Sequence, residues 1–365
     1  MKAQRNKSYS LFAVLVTVVA FSFGGCMALN NTPLGDLLDF DLIGASPSED
    51  GLVGFNVLPG SQFASFKGDG VRVEVKNSDG TYSPCDPVQT EEKEGSEFNS
   101  LALLLDDSGS MGRTYDASIC STCPHDPSKL RVSAVQALID DVLIAGPQSR
   151  LSVMRFGPAP SDGWVATNVL WDFDSNADRL KESLSGVEGD QEYGTPLWDS
   201  LHEVITATKQ EAETLEEVVL SMNIRDNKGE IPEVRRYIVL LSDGDDRPEY
   251  GGSKTQSLES VLEAAKANNV VIHAIGLGPA SIAFSNPALQ TEQDVEVQLE
   301  TVSKLQRLAA ETGGFYASVH DASALAQLYK AVAAAMTNGY QMEKYACRPD
   351  GEEPESGEKL EGRIL

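Results

Sequence analysis

The sequence predicts an α/β protein built on a doubly wound, mostly parallel sheet of six strands with helices on both faces. Short apolar runs alternate with longer amphipathic segments from about residue 98 to residue 340, which is typical of parallel strands joined by crossover helices. Two of the runs, Leu101–Asp106 and Arg235–Leu241, are nearly all apolar, as in strands that are buried on both faces. A small β segment is predicted before this region.

The elements are predicted in chain order. Residues 52–84 indicate a few short strands, with a hairpin turn at Asn77-Ser78-Asp79-Gly80. The strands predicted for the large sheet are 101–106, 150–156, 164–171, 235–241, 270–275 and 314–319. The predicted helices are 128–145, 176–184, a long one opened by Pro196 and capped by Thr195, 257–268, 300–312 and 322–337. We expect strand 164–171 to be antiparallel on one edge, and the strand order to be 3-2-1-4-5-6.

Oxygen-bearing side chains gather where the first strand of this sheet ends. Asp106, Ser108 and Ser110 are spaced two residues apart, and Gly109 allows the backbone to turn tightly between the serines. Carboxylate and hydroxyl oxygens without His or Cys suit a hard cation such as Mg²⁺. Taken alone, the segment fits a Ser/Gly turn after a buried strand equally well.

A second carboxylate is predicted to reach the same edge of the sheet. Ligands of doubly wound sheets bind at the carboxyl ends of the strands, where the strand order reverses. The first and fourth strands flank that reversal, and Asp243 follows the fourth strand. The expected convergence of Asp106 and Asp243 therefore favours a metal site over a simple turn.

Together these residues resemble the von Willebrand factor type A domain, over about residues 98–338. The segment Asp106–Ser110 is similar to the Asp-Xaa-Ser-Xaa-Ser motif of that family. The segment Gly194–Leu197 is similar to its threonine loop, and Leu241–Gly244 to its second aspartate motif. The three motifs stand in the family's order on matching elements.

The resemblance implies a metal-ion-dependent adhesion site and a role for each residue. Ser108 and Ser110 would give hydroxyl ligands to Mg²⁺, with Mn²⁺ or Ca²⁺ as the other candidates. Thr195 would be a direct or water-bridged ligand, and Asp106 and Asp243 would act mainly through water and hydrogen bonds. A carboxylate of a partner protein would complete the coordination. Because no nucleophile and base are evident beside the site, we expect a binding protein rather than an enzyme.

The chain departs from the family pattern in two places. The segment Arg113–Pro127 is an insertion after the first motif. We expect it on the metal face, where it could cover the site or help to select partners. The segment Arg225–Pro232, before the fourth strand, is also extended. Both departures leave the identity of the ligand open.

The N-terminus predicts export and lipid anchoring. Basic residues precede the apolar stretch Leu11–Phe23, and Gly24-Gly25 leads into Cys26. This order is typical of a secretory signal and resembles a bacterial lipoprotein signal, in which Cys26 is acylated. The apolar stretch is shorter than the roughly 20 residues that a spanning helix needs. We expect an exported, membrane-anchored lipoprotein, and Met27 in place of Asp favours the outer membrane of a host with two membranes.

The predicted organisation has five parts. They are a signal peptide at 1–25, a tether at 26–50, a small β-rich segment with a linker at 51–97, the type A domain at 98–340 and a charged tail at 341–365. The formal net charge of −26 argues against nucleic acid as a partner, because phosphate contacts need a basic surface. It also argues against docking on anionic lipid through a basic patch.

The remaining cysteines leave alternatives open. An even number of cysteines in an exported chain favours disulfides, and the four here allow three pairings. Domain termini are often close in space, which favours Cys85–Cys347 together with Cys120–Cys123. The pair Cys120 and Cys123 also fits a thiol redox centre or half of a zinc site. Two functional alternatives therefore remain, a metal-independent interaction module that uses residues 113–127 and a thiol redox enzyme.

Overall fold

A computed structural model describes most of the chain after residue 53. The described residues are 53–57, 73–93, 95–112, 123–157, 166–187, 195–226, 229–244, 246, 256–280, 292–319, 325–352 and 362–364. They all belong to one unit, Pro33–Leu365. The predicted signal peptide and tether, with Cys26, lie outside the described residues, as does Cys120.

The described elements alternate between strands and helices as predicted. The strands are β1 (Val53–Val57), β2 (Val73–Lys76), β3 (Tyr82–Pro84), β4 (Asp86–Lys93), β5 (Asn99–Asp106), β6 (Arg150–Phe156), β7 (Thr167–Asp174), β8 (Arg235–Ser242), β9 (Val270–Leu277), β10 (Tyr316–Val319), β11 (Tyr340–Ala346) and β12 (Gly362–Ile364). The helices are α1 (Gly109–Gly112), α2 (Leu130–Ala145), α3 (Ala177–Ser183), α4 (Leu197–Ser221), α5 (Leu258–Ala267), α6 (Glu292–Thr312) and α7 (Leu325–Asn338). None of these helices is both long and apolar enough to cross a membrane.

The central sheet has the predicted topology. Its strand order is β10-β9-β8-β5-β6-β7. All neighbours are parallel except β7, which runs antiparallel to β6 on the edge. The predicted fold class, strand order and edge strand are therefore confirmed. Strands β5 and β8 are neighbours in register, with Leu105 opposite Leu241, so the residues that follow them emerge side by side at the carboxyl edge.

Strand β5 is buried along its whole length because helices cover both faces of the sheet. Its side chains alternate between the faces, as those of any strand do. Leu103 packs with Leu138 of α2 in one apolar cluster. Leu104 packs with Leu201 of α4 in the other. Since each fully buried leucine stabilises the fold by about 2 kcal/mol, the strand that carries the first motif is held firmly.

Helix α4 runs antiparallel to β5 and β8. Its C-terminal half packs on Phe98 and Val234, which precede these two strands. At its other end the Trp198 N–H donates to Asp246 Oδ1 at 3.3 Å, beyond the end of β8. The helix therefore begins at the carboxyl edge of the sheet. It begins at Leu197, with Pro196 at the N-cap and no side-chain cap, so the predicted capping role of Thr195 is wrong.

The segments before and after the central sheet pair with each other. The predicted turn at residues 77–80 joins β2 and β3, closed by the Asn77 N–H donating to Thr81 O at 2.8 Å. Two small sheets have the orders β1-β11-β4 and β12-β2-β3. The disulfide Cys85–Cys347 joins the same two parts of the chain, which confirms the preferred pairing of these cysteines.

Two predicted boundaries differ most from the structure. The charged tail predicted at 341–365 contains strands, since β11 pairs with both β1 and β4 and β12 pairs with β2. Their partners lie far away in sequence, so local composition did not reveal these strands. Helix α6 begins at Glu292 rather than at residue 300. Its first turns are rich in Glu and Gln, which are good helix formers that add little apolar periodicity.

Candidate metal centre

Four of the five predicted metal residues meet at the carboxyl edge of the sheet. The hydroxyl oxygens of Ser108 and Ser110 lie 3.0 Å apart. Ser110 Oγ donates to Asp243 Oδ1, also at 3.0 Å. Asp106 ends β5 and is fully buried, and Asp243 follows β8 and is 2% exposed. Residues separated by more than 130 positions therefore form one cluster of oxygens.

Asp106 is a buried carboxylate whose hydrogen-bond donors, among the described residues, are uncharged. Its Oδ1 accepts from the Ser108 N–H at 2.9 Å, and its Oδ2 accepts from Ser242 Oγ at 2.8 Å. Burial, and then repulsion by Asp243, raise the pKa of Asp106 to about 7 from the ordinary value of 3.8. A positive charge placed between the two carboxylates would remove this penalty.

The neighbouring Asp107, in contrast to Asp106, accepts hydrogen bonds from charged donors. Its Oδ1 accepts from Arg131 Nη2 at 3.2 Å and its Oδ2 from Arg155 Nη1 at 2.7 Å. Arg131 Nη1 also donates to Asp126 Oδ2 at 2.7 Å. Asp107, Asp126 and Arg131 are all buried. This network ties the turn after β5 to the start of α2 and to the end of the insertion at 113–127.

Sequence reasoning missed the role of this network. A signal was present, because Arg131 lies three and four positions before Ala134 and Val135, on the apolar face of α2. A charged side chain in such a position requires a partner of opposite charge. The sequence alone did not say which of the chain's many carboxylates that partner was.

His125 is a second site residue that sequence reasoning missed. Its imidazole Nδ1 donates to Asp243 Oδ2 at 2.7 Å, and its side chain is 5% exposed. Its backbone N–H donates to Ser110 O at 3.0 Å. The nearby pair Cys120 and Cys123 predicted zinc or redox chemistry in this segment instead. The described end of the insertion therefore lies at the carboxyl edge of the sheet, beside the oxygen cluster, where it was expected.

Two glycines allow neighbouring strands to approach the site closely. Gly157 follows β6 with φ +117°, and a Cβ there would lie 2.6 Å from the Ser108 backbone nitrogen. Gly278 follows β9 with φ +56°, and a Cβ there would lie 2.7 Å from His125 Cγ. A side chain at either position would displace the residues that form the site.

Thr195 lies at the same edge of the sheet as the other four residues. It is half-buried and stands two positions before the first residue of α4. The first turn of that helix is bonded to Asp246, three residues after Asp243. The described geometry therefore places Thr195 near the second aspartate motif.

The donor set fits a hard cation. Hydroxyl and carboxylate oxygens are the preferred ligands of Mg²⁺. Among the described residues, no group of three or more His, Cys, Asp or Glu side chains is arranged to hold a metal. Cys123 is disulfide-bonded, and a zinc ligand would have to be a free thiolate. The described residues thus fit Mg²⁺ at the oxygen cluster better than zinc at the cysteines.

Comparison with known proteins agrees with the described fold. The family model of the von Willebrand factor type A domain matches residues 100–331. No curated protein sequence matches the chain. Similar solved structures include proximal thread matrix protein 1 from the mussel byssus, with 17% identity, a TM-score of 0.43, and coverage of 68% of this chain and 49% of that one.

Two bacterial structures are similar to about the same degree. A von Willebrand factor type A protein from Catenulispora acidiphila has 12% identity and a TM-score of 0.39, and the match covers 69% of this chain and 50% of that one. The pilus adhesin SpaC from Lactobacillus rhamnosus GG, in its open conformation, has 14% identity and a TM-score of 0.42, with coverage of 74% and 34%. This chain thus spans half or less of each of these three structures, and likeness at this level concerns the fold alone.

Proposed function

Since the chain belongs to the von Willebrand factor type A family, we propose that it is a Mg²⁺-dependent binding protein that holds a carboxylate of a partner protein. The observation that carries the proposal is the buried pair Asp106 and Asp243, which meets two serine hydroxyls at the carboxyl edge of the sheet. The proposed activity is binding, without catalysis.

The distribution of charge supports a cation at this place. Asp107 is neutralised by two arginines of the chain itself. Asp106, one residue earlier, accepts hydrogen bonds only from an amide and a hydroxyl in the part of the chain that the structure describes. Buried carboxylates are stable when they are paired or coordinate a metal. Asp107 is therefore paired with arginines of the chain itself, whereas an external cation would pair with Asp106.

Each residue of the cluster has a proposed role. Ser108, Ser110 and Thr195 would hold the cation through their hydroxyls, and Asp106 and Asp243 would balance its charge and orient the hydroxyls by hydrogen bonds. When bound, Mg²⁺ supplies a Lewis-acidic position for a carboxylate oxygen. Mn²⁺ or Ca²⁺ could take the same place, because both accept oxygen ligands.

We place the protein in the cell envelope on the basis of its N-terminal sequence. Cleavage before Cys26 and acylation of that residue would leave a lipid-anchored chain, in the outer membrane where the host has two. Metabolic labelling with a fatty acid tests the anchor, with Cys26→Ser as the matched variant. Label that is retained in this variant would contradict acylation at Cys26.

Isothermal titration with Mg²⁺ tests the metal site. We expect the wild-type protein to bind and Asp106→Ala to lose binding, because one of the two negative charges disappears. Asp174→Ala is the matched control, since this aspartate lies on the edge strand β7 away from the cluster. Equal heats from wild type and Asp106→Ala would refute the proposed metal site.

Capture of a partner from the host envelope tests the binding function. We expect the wild-type protein to retain its partner in Mg²⁺ and release it in EDTA, and Asp106→Ala to retain none in either buffer. Capture that survives EDTA would assign partner binding to a metal-independent surface, such as the insertion at 113–127.

A further inference from the structure

Near the end of the insertion at 113–127, His125 contacts three parts of the proposed cation site. The His125 backbone N–H donates to Ser110 O in the first motif, and its imidazole donates to Asp243 in the second. On the remaining side the ring packs against Gly278, at the end of β9, where a Cβ would lie 2.7 Å from Cγ. The imidazole is therefore held at a defined position against the second aspartate motif.

The two oxygens of Asp243 accept hydrogen bonds from different donors. Ser110 Oγ donates to Oδ1 at 3.0 Å, and His125 Nδ1 donates to Oδ2 at 2.7 Å. A carboxylate that is bonded at one oxygen only can rotate about its side-chain bonds, whereas bonds at both oxygens fix its plane. Hydrogen bonds of this kind hold a metal-binding carboxylate in the orientation that coordination needs.

We propose that His125 is a positioning residue of the cation site, which holds Asp243 in the orientation that favours Mg²⁺ binding and so makes the end of the insertion part of the site. This inference rests on the proposed metal-binding function. Mg²⁺ prefers oxygen ligands, so the imidazole acts as a hydrogen-bond donor to the carboxylate and not as a ligand. Loss of such a supporting donor typically weakens metal binding about 10- to 100-fold.

The insertion and the cation site are coupled in this arrangement. The Asp126 N–H donates to Met111 O at 2.8 Å, next to the His125 contact with Ser110. The end of the insertion therefore runs along the turn that carries the serines. A partner that moves this end shifts the donor that orients Asp243, so contacts to the insertion change the affinity for the cation.

Substitutions at His125 test the proposal by titration of the full protein with Mg²⁺. Asparagine presents an N–H at the position of Nδ1, whereas glutamine presents it at the position of Nε2. We expect His125→Ala and His125→Gln to raise the Kd for Mg²⁺ by about 10-fold or more, and His125→Asn to restore most of the affinity. His202→Ala, on α4, is the control. Melting temperatures in EDTA show whether each variant is folded.

The outcomes separate this inference from the proposed function. Absence of Mg²⁺ binding by the wild-type protein overturns both. If Asp106→Ala loses binding and His125→Ala keeps the wild-type Kd, the metal site stands and the role of His125 is refuted. If His125→Ala does not fold, the Kd values for Mg²⁺ of His125→Asn and His125→Gln decide whether His125 orients Asp243. Equal Kd values for that pair overturn the proposal, because they show that the N–H at the Nδ1 position does not matter.

Discussion

We expect His273 to make the stability of this protein sensitive to mild acid. It lies on β9, fully buried, between the rings of Tyr237 and Phe315, at centroid distances of 5.5 and 4.2 Å. Its Nδ1 accepts a hydrogen bond from the Phe315 N–H at 3.4 Å. Burial lowers the pKa of His273 to about 3 from the ordinary 6.5, so the imidazole is neutral in the folded protein throughout the neutral and mildly acidic range.

The shift in pKa sets the size of the effect. The unfolded chain binds a proton at His273 below pH 6.5, whereas the folded protein does not until about pH 3. The contribution of this group to stability is therefore complete above pH 6.5 and is lost as the pH falls towards 3. Between pH 7 and pH 5 the loss is about 2 kcal/mol, and at its limit it is about 5 kcal/mol. A loss of 2 kcal/mol lowers the melting temperature by roughly 4–8 °C in a domain of this size.

Urea denaturation at pH 7 and at pH 5, in EDTA, measures this loss. His273→Asn keeps an acceptor near the position of Nδ1 and does not titrate, and His202→Asn is the matched control. We expect the wild-type protein and the control to lose about 2 kcal/mol more than His273→Asn between the two pH values. The comparison between variants cancels the titration of carboxylates that all three share. Equal losses in the wild type and in His273→Asn would refute the reasoning.

Three substitutions extend these predictions, each followed by thermal melting. Asp106→Asn should raise the melting temperature in EDTA, because it removes a buried charge that Asp243 repels. It should also abolish the rise in melting temperature on addition of Mg²⁺. An unchanged melting temperature in EDTA would contradict this. Asp107→Asn should lower the free energy of unfolding by about 3 kcal/mol, because Arg131 keeps its buried charge and loses a partner. The rise in melting temperature on addition of Mg²⁺ should persist. Loss of that rise would contradict a purely structural role for Asp107. Cys347→Ser should lower the free energy of unfolding by about 2–5 kcal/mol and leave the Kd for Mg²⁺ unchanged. A variant as stable as the wild type would show that the small sheets do not depend on the disulfide.

The fold could be predicted from the sequence because its strongest signals are local. Leu101–Asp106 and Arg235–Leu241 are apolar enough to identify two central strands, and both end in motif residues. Parallel topology and the reversal of strand order then place Asp106 beside the end of β8. The clustering of four of the predicted metal residues follows from these steps, since topology alone brings the ends of neighbouring strands together.

The features that the sequence did not predict depend on which residues contact each other across long separations in the chain. Arg131 could have been recognised as a buried charge, but its pairing with Asp107 and Asp126 needs the position of α2 on the sheet. The contact of His125 with Asp243 needs the path of the insertion, which no periodicity describes. Strand β11 is polar enough to resemble a tail and is a strand because β1 and β4 flank it.

Under the proposed function, the consecutive aspartates at the end of β5 let one turn serve both stability and binding. Side chains of successive residues in an extended chain point to opposite sides, so Asp106 and Asp107 face different environments. Asp107 meets Arg131 and Arg155, which fix the turn and would do so whether or not a cation is present. Asp106 faces Asp243 across the sheet edge, where burial and repulsion raise its pKa. Because the arginines already hold the turn, the carboxylates beside it can remain close together without collapse of the site, and the free energy stored in their repulsion becomes available to any cation that binds between them.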